Sequence, residues 1–241
     1  MFPIRDTVPR REFPFVTWAI ILVNGTVFLF ELSLPKDLLD RLIYLFGVVP
    51  ARYSHPEWAV LFGLPLDDYW PFITNIFLHG GWVHFVGNMW MLYLFGDNVE
   101  DRMGHGRFFV FYMLSGLAAS ITHFVFNMHS TVPAIGASGA IAGVMGAYFV
   151  MFPTARVITL IPILFLPYFI EIPAFVYLGI WFATQIFSGA FSLLTPGAGG
   201  GIAWWAHIGG FVAGIVLLPI FRKKGSYRRY FPDEAYYNVY R

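Results

Sequence analysis

Six stretches of the chain are almost wholly apolar, and short polar segments separate most of them. They lie near residues 14–34, 82–97, 107–127, 138–153, 172–194 and 202–221. A helix needs about 20 mostly apolar residues to cross a bilayer, because hydrocarbon leaves its backbone groups no hydrogen-bond partners except each other. The pattern therefore predicts an all-α polytopic membrane protein, built as a bundle of six transmembrane helices.

The composition agrees with one membrane domain and excludes several other classes of protein. Of the 241 residues, 58% are hydrophobic and only 12% are charged, whereas about a quarter of the residues in a soluble domain are charged. We expect a membrane domain over residues 1–221, followed by a basic, tyrosine-rich cytoplasmic tail over residues 222–241. The formal net charge of +1 argues against nucleic acid as a partner. The chain has no cysteine, so covalent chemistry must use an oxygen nucleophile.

The lysines and arginines predict the orientation of the bundle, because cytoplasmic loops carry an excess of these residues. With a cytoplasmic N-terminus, 12 of the 15 lie on the cytoplasmic side. The other three, Lys36, Arg41 and Arg52, all lie in the long first loop. We therefore expect both termini to be cytoplasmic.

Two segments between the helices have unusual sequences. Residues 35–81 form a loop too long for a simple connector, and its prolines and apolar runs predict a folded segment half-immersed in the membrane. The run Gly197–Gly201 precedes the sixth stretch, and its glycines predict a mobile hinge for a gate.

Four polar side chains interrupt the apolar stretches at a common depth. His84 and Asn88 lie early in the second stretch, Ser138 opens the fourth, and His207 lies early in the sixth. These three stretches run in the same direction, and at 1.5 Å rise per residue the four depths agree to within roughly 10 Å. Polar groups inside a membrane are costly, so four at one depth indicate a functional site.

Small residues on two of these stretches predict close helix packing beside that site. Gly139, Gly143 and Gly146 follow Ser138, and Gly210 and Gly214 follow His207. Ridges of small residues allow two helix backbones to approach closely. Such a contact brings the serine hydroxyl within hydrogen-bond reach of the histidine ring, which is the arrangement that activates an alcohol as a nucleophile.

The combination of motifs resembles the rhomboid intramembrane serine proteases over residues 70–215. The matching positions are His84 and Asn88, the nucleophile motif Gly136–Gly139, the sixth-stretch residues Ala206, His207 and Gly210, and the pair Glu100 and Arg102 after the second stretch. The resemblance implies a six-helix bundle that hydrolyses peptide bonds in or near transmembrane segments of other membrane proteins.

The resemblance also implies roles for individual residues. Ser138 and His207 form a catalytic dyad, and His84, Asn88 and the Ser138 backbone N–H stabilise the oxyanion. No Asp or Glu lies near the outer ends of the second, fourth or sixth stretches, which agrees with a dyad. We expect no metal and no cofactor. We expect a site that opens to the non-cytoplasmic side of a bacterial or archaeal cell membrane; the oligomeric state is left open.

Two positions depart from the family pattern. Pro71 follows Trp70 where the family often has arginine, and Ala142 stands four positions after the serine, where some members have an aromatic residue that stacks on the histidine. The sequence therefore does not predict which residues brace the first loop or which residues orient the His207 ring.

Two alternatives remain open. One is a proton or cation transporter whose intramembrane histidines form the path. The other is a non-catalytic rhomboid-like protein that binds client helices, although a binding role alone needs neither Ser138 nor His207.

Overall fold

The computed structural model describes residues 2–163, 166–194 and 202–223. Long helices dominate this part of the chain, and short helices fill the first loop. The elements in chain order are β1 (Phe2–Asp6), α1 (Phe15–Ser33), α2 (Lys36–Phe46), α3 (Pro50–Ser54), α4 (Pro56–Leu61), α5 (Pro71–Thr74), a 3₁₀ turn (Asn75–Phe77), α6 (Trp82–Met103), α7 (His105–Phe126), α8 (Ser138–Met151), β2 (Arg156–Ile163), β3 (Leu166–Pro173), α9 (Ala174–Leu194) and α10 (Trp204–Phe221). The predicted hinge at Gly197–Gly201 and the tail beyond Lys223 lie outside the described residues.

Each of the six predicted stretches corresponds to one helix, namely α1, α6, α7, α8, α9 and α10. Among the described residues, four of these helices are long and apolar enough to cross a membrane: α1, α7, α9 and α10. α8 is shorter, with 14 residues. α6 extends six residues beyond its predicted end, through the charged segment 97–103, and stops where Gly104 takes a positive φ of 83°.

The described part of the chain is mostly helical, as predicted, but it is not all-α, because β1, β2 and β3 form a three-stranded antiparallel sheet in that order. The segment from Arg156 to Pro173 forms a hairpin, with Arg156 opposite Pro173. Its apolar and β-branched residues suit paired strands, and the pairing satisfies the backbone N–H and C=O groups of both strands. The N-terminal strand then adds to the other edge of β2.

Arg52 braces the long first loop from within. Its guanidinium is fully buried and donates to the carbonyl oxygens of Pro65 and Leu45, at 2.6 and 3.2 Å, and to a carboxylate oxygen of Asp68 at 3.2 Å. A planar guanidinium suits several acceptors at once. Pro71, the position where the family often has arginine, opens α5 instead.

α8 lies at the centre of the bundle, and glycines bring it into backbone contact with α10. A Cβ atom added to Gly210 would overlap the carbonyl oxygen of Gly139, and one added to Gly214 would overlap that of Gly143. A Cβ at Gly146 would likewise overlap the carbonyl oxygen of Phe211. The two glycine ridges therefore pack against each other at distances that exclude any side chain.

Glu100 joins the last turns of α6 to the start of α1. Its carboxylate is 1% exposed and accepts hydrogen bonds from the backbone N–H groups of Val16 and Thr17 at 2.9 and 2.8 Å. It also lies 2.6 Å from Nδ1 of His105. A carboxylate at a helix N-terminus satisfies amides that have no partner within the helix. Arg102 lies over the ring of Phe152, so the two motif residues fasten α6 to different neighbours.

Candidate active site

The serine at the start of α8 and the histidine on the first turn of α10 are in hydrogen-bond contact. Oγ of Ser138 lies 2.8 Å from Nε2 of His207. The glycine contacts between α8 and α10 set this distance, because they fix the two helix starts side by side. A hydroxyl that donates to an imidazole nitrogen is poised for deprotonation as a bond forms at its oxygen.

The backbone before the serine requires glycine at position 136. Gly136 has a φ of 122°, which side-chain-bearing residues rarely adopt. A Cβ at this position would lie 2.6 Å from Nε2 of His84 and 3.5 Å from Nδ2 of Asn88. Glycine therefore leaves the space in which the two side chains of α6 reach the segment that carries Ser138.

His84 and Asn88 both offer hydrogen-bond donors towards this segment. The backbone N–H of Gly80 donates to Nδ1 of His84 over 3.4 Å, so the neutral ring carries its proton on Nε2, the nitrogen beside Gly136. The amide nitrogen of Asn88 is buried and has no hydrogen-bond partner among the described residues. The Nε2–H of His84 and the unpaired amide of Asn88 therefore both lie beside Gly136, two residues before the serine.

A cavity of about 20 Å³ lies beside the serine, with room for about one water molecule. Its polar lining includes Asn75, Ser120, His123 and Ser138. The amide of Asn75 donates to the hydroxyl of Ser120 over 2.9 Å. The serine therefore faces a small, partly polar hollow inside the bundle.

α9 supplies two neighbours of His207 that sequence reasoning missed. Oε1 of Gln185 lies 2.7 Å from Nδ1 of His207, and the ring of Trp181 lies 5.8 Å from the imidazole. These contacts provide the support that Ala142 cannot. The only signal in the sequence was a glutamine within an apolar stretch, which is a costly position for a polar side chain.

The arrangement offers a nucleophile, a base and donors for a developing negative charge. Among the described residues, no group of three His, Cys, Asp or Glu side chains is placed to hold a metal ion. The predicted site residues fall into two groups. The first group lies at one end of the bundle and consists of Ser138, His207, His84, Asn88 and Gly136, with the glycines that hold the helices together there, Gly139, Gly210 and Gly214. The second group, Glu100 and Arg102, lies at the far end of α6.

Several known proteins are similar to this chain. Rhomboid protease GluP of Bacillus subtilis is 34% identical over 115 residues, which are 45% of this chain and 22% of that protein. The putative rhomboid protease YdcA of the same organism is 33% identical over 118 residues, 47% of this chain and 58% of that protein. Rhomboid protein 1 of Saccharomyces cerevisiae, a mitochondrial protein, is 28% identical over 198 residues, 76% of this chain and 52% of that protein.

These alignments cover between about a fifth and somewhat more than half of each relative's own length. The relatives include mitochondrial as well as bacterial proteins, so the expected bacterial or archaeal membrane stays a prediction. A family model described as the rhomboid domain matches residues 66–224. That match covers well over half of the chain, including every residue of the site. The chain is therefore an integral, multi-pass membrane protein that belongs to the rhomboid family.

Proposed function

We propose that this protein is an intramembrane serine endopeptidase that cleaves peptide bonds in or near transmembrane segments. One observation carries the proposal, the 2.8 Å contact between Oγ of Ser138 and Nε2 of His207 in the interior of a membrane-helix bundle. The half-buried serine and histidine side chains lie on separate membrane helices, where polar groups are costly. Activation of the serine as a nucleophile explains why the two side chains are in contact.

The residues divide the chemistry between them. His207 accepts the proton of the Ser138 hydroxyl as Oγ attacks the scissile carbonyl, and then donates it to the leaving amine. The Nε2–H of His84, the amide of Asn88 and the backbone N–H of Ser138 stabilise the negative charge on the tetrahedral intermediate. Water that enters the adjacent hollow then hydrolyses the acyl-enzyme, with His207 acting as base again.

The membrane arrangement in this proposal has six spans, with both termini in the cytoplasm. The membrane domain covers residues 1–221, and the basic tail covers residues 222–241. The distribution of lysine and arginine, 12 against three, supports this orientation. α8 is short for a span but lies buried at the centre, where neighbouring helices rather than lipid surround it. The first loop lies half-immersed at the non-cytoplasmic face, on which the site opens.

The substrates in this proposal are single-span or other transmembrane proteins. Backbone amides in a transmembrane helix are held in intrahelical hydrogen bonds, so the helix must unwind locally before its carbonyl can be attacked. Small or helix-breaking residues near the non-cytoplasmic face lower the cost of unwinding. We therefore expect cleavage at such positions.

A fluorophosphonate probe and a single-span test substrate together test the proposal. The probe reacts with activated serines, and the substrate carries Gly and Pro residues at its outer end. We expect the wild-type protein to be labelled and to cleave, and Ser138→Ala and His207→Ala to lose both activities. A matched substrate with leucine in place of Gly and Pro should be cleaved more slowly.

Ser115→Ala is the matched control, because Ser115 is a buried serine of α7 without a partner for its hydroxyl among the described residues. It should keep both activities. Labelling that survives Ser138→Ala would place the reactive group elsewhere. A folded wild-type protein that neither reacts nor cleaves would favour the non-catalytic client binder, and ion flux into liposomes that survives Ser138→Ala would favour the transporter.

A further inference from the structure

Gln185 completes a chain of hydrogen bonds through three helices. Its Oε1 lies 2.7 Å from Nδ1 of His207 on α10, whose Nε2 lies 2.8 Å from Oγ of Ser138 on α8. Gln185 itself sits on α9 and is 5% exposed. An amide buried this deeply in a membrane helix is costly unless its polar atoms are paired.

The surroundings of Gln185 decide which way its amide faces. Its Nε2 donates to the carbonyl oxygen of Trp181 at 3.2 Å and to the hydroxyl of Thr184 at 3.0 Å. The Thr184 hydroxyl donates its own hydrogen to the same Trp181 carbonyl at 2.6 Å, so its lone pairs are free to accept from Gln185. Both amide hydrogens are thus used within α9, and the carbonyl oxygen is left facing His207.

The direction of the amide fixes the tautomer of the imidazole. A carbonyl oxygen only accepts, so Nδ1 of His207 carries the proton and Nε2 presents its lone pair to Ser138. With the amide reversed, the NH₂ group would face Nδ1, the proton would move to Nε2, and the ring could no longer accept the serine proton. Thr184 and the Trp181 carbonyl oppose that reversal.

We infer that Gln185 is a positioning residue that holds His207 in the tautomer and orientation required of a base, as a neutral counterpart of a triad carboxylate. The inference rests on the proposed function. A neutral amide stabilises the imidazolium through its dipole, and it costs less to bury in a membrane helix than a carboxylate does.

Substitutions at Gln185 test the inference through the kinetics of cleavage. Gln185→Met keeps the length of the side chain and removes the acceptor. We expect kcat to fall roughly 10- to 100-fold, the size of effect seen for partners that orient metal-binding histidines. KM for the test substrate should not change. Gln185→Glu restores an acceptor and should lose less kcat than Gln185→Met.

The tautomer of His207 gives a second readout, which does not depend on activity. In detergent micelles, ¹⁵N NMR of the imidazole should show a protonated Nδ1 in the wild type and a mixture of tautomers in Gln185→Met. Ser192→Ala is the matched control on α9, since its hydroxyl bonds the carbonyl of Gly189 in its own helix. It should change neither readout.

The two proposals fail in distinguishable ways. If the wild-type protein shows no serine reactivity but Nδ1 of His207 is protonated, the proposed protease function is wrong and the role of Gln185 still holds. A folded Gln185→Met variant with wild-type kcat and tautomer would overturn the role of Gln185 alone. If Gln185→Met does not fold, Thr184→Val decides, because it removes one of the two acceptors that oppose reversal of the amide and should raise the fraction of the other tautomer. An unchanged tautomer and kcat in that variant would also overturn the inference.

Discussion

Asn88 carries a buried amide nitrogen that has no hydrogen-bond partner among the described residues. An unpaired buried donor costs about 1–3 kcal/mol. The side chain is therefore a poor choice for stability at this position, and it lies beside Gly136, two residues before the serine. At the scale of the residue, the proposed mechanism explains this unpaired donor by a partner that forms only during the reaction, namely the oxyanion.

Replacing Asn88 by alanine should therefore weaken activity without weakening the fold. We expect kcat/KM of Asn88→Ala to fall about 10²- to 10³-fold, equivalent to some 3–4 kcal/mol of transition-state stabilisation. Its melting temperature in detergent should stay the same or rise, because no hydrogen bond among the described residues is lost. Asn24→Ala, which removes a buried asparagine of α1 that bonds within its own helix, is the control and should keep full activity. Equal kcat/KM in both variants would remove Asn88 from the oxyanion site.

Residue identity predicted the members of the site better than it predicted their partners. Ser138, His207, His84 and Asn88 could be picked out because each is polar within an apolar stretch. Gln185 met the same criterion, but its relevance depends on where α9 packs and on which way its amide faces. Those are properties of three helices together, which no local pattern contains.

At the scale of the element, the glycine ridges and the sheet differ in how far sequence could predict them. A ridge of small residues indicates a close helix contact directly, so the packing of Gly139 and Gly143 against Gly210 and Gly214 followed from spacing. The hairpin from Arg156 to Pro173 did not. A short apolar run does not distinguish a strand from part of a helix. The strand that pairs with the outer edge of this hairpin, Phe2–Asp6, is also more than 140 residues away in the sequence.

The docking of β1 should depend on pH through Asp6. Burial raises the pKa of its carboxyl to about 7, with a further rise from the carboxylate of Asp97 and an opposing effect of the hydrogen bond from the Tyr148 hydroxyl. The docked strand therefore holds a proton that an undocked strand, with the ordinary carboxyl pKa near 4, has released. Docking is strongest below about pH 4, weakens as pH rises towards about 7, and is constant above that value.

Hydrogen exchange of the β1 amides measures this effect. Wild-type protection should be lower at pH 8 than at pH 5, after correction for the intrinsic exchange rate. Asp6→Asn mimics the protonated carboxyl and can still accept the hydrogen bond from Tyr148. It should remove the pH dependence and exceed wild-type protection at pH 8. The idea fails if the wild type and Asp6→Asn show the same pH profile.

At the scale of the whole molecule, the two ends of the bundle have different compositions. The end that holds Ser138 also carries the long first loop, where the buried Arg52 is hydrogen-bonded to Pro65, Leu45 and Asp68. At the opposite end, the backbone N–H of Lys223 donates to the carbonyl of Arg102, and the guanidinium of Arg102 lies over Phe152, so the ends of α6, α8 and α10 meet there. Most of the lysines and arginines that the structure describes lie at this second end, so the positive-inside rule predicts that it faces the cytoplasm, as proposed above.

Single-cysteine labelling can test this orientation cleanly, because the natural chain has no cysteine. Asp67→Cys introduces a thiol on the exposed surface of the first loop, and Gly106→Cys introduces one at the start of α7, where a side chain meets open space. In cells that carry the protein in the plasma membrane, a membrane-impermeant maleimide should label Asp67→Cys directly and Gly106→Cys only after permeabilisation. The unmodified protein sets the background, and labelling in denaturant confirms that both thiols react. The opposite labelling pattern would show that the membrane orientation is reversed. Ser138 would then lie on the cytoplasmic side and the 12 basic residues outside, which would contradict the positive-inside rule used to predict the orientation.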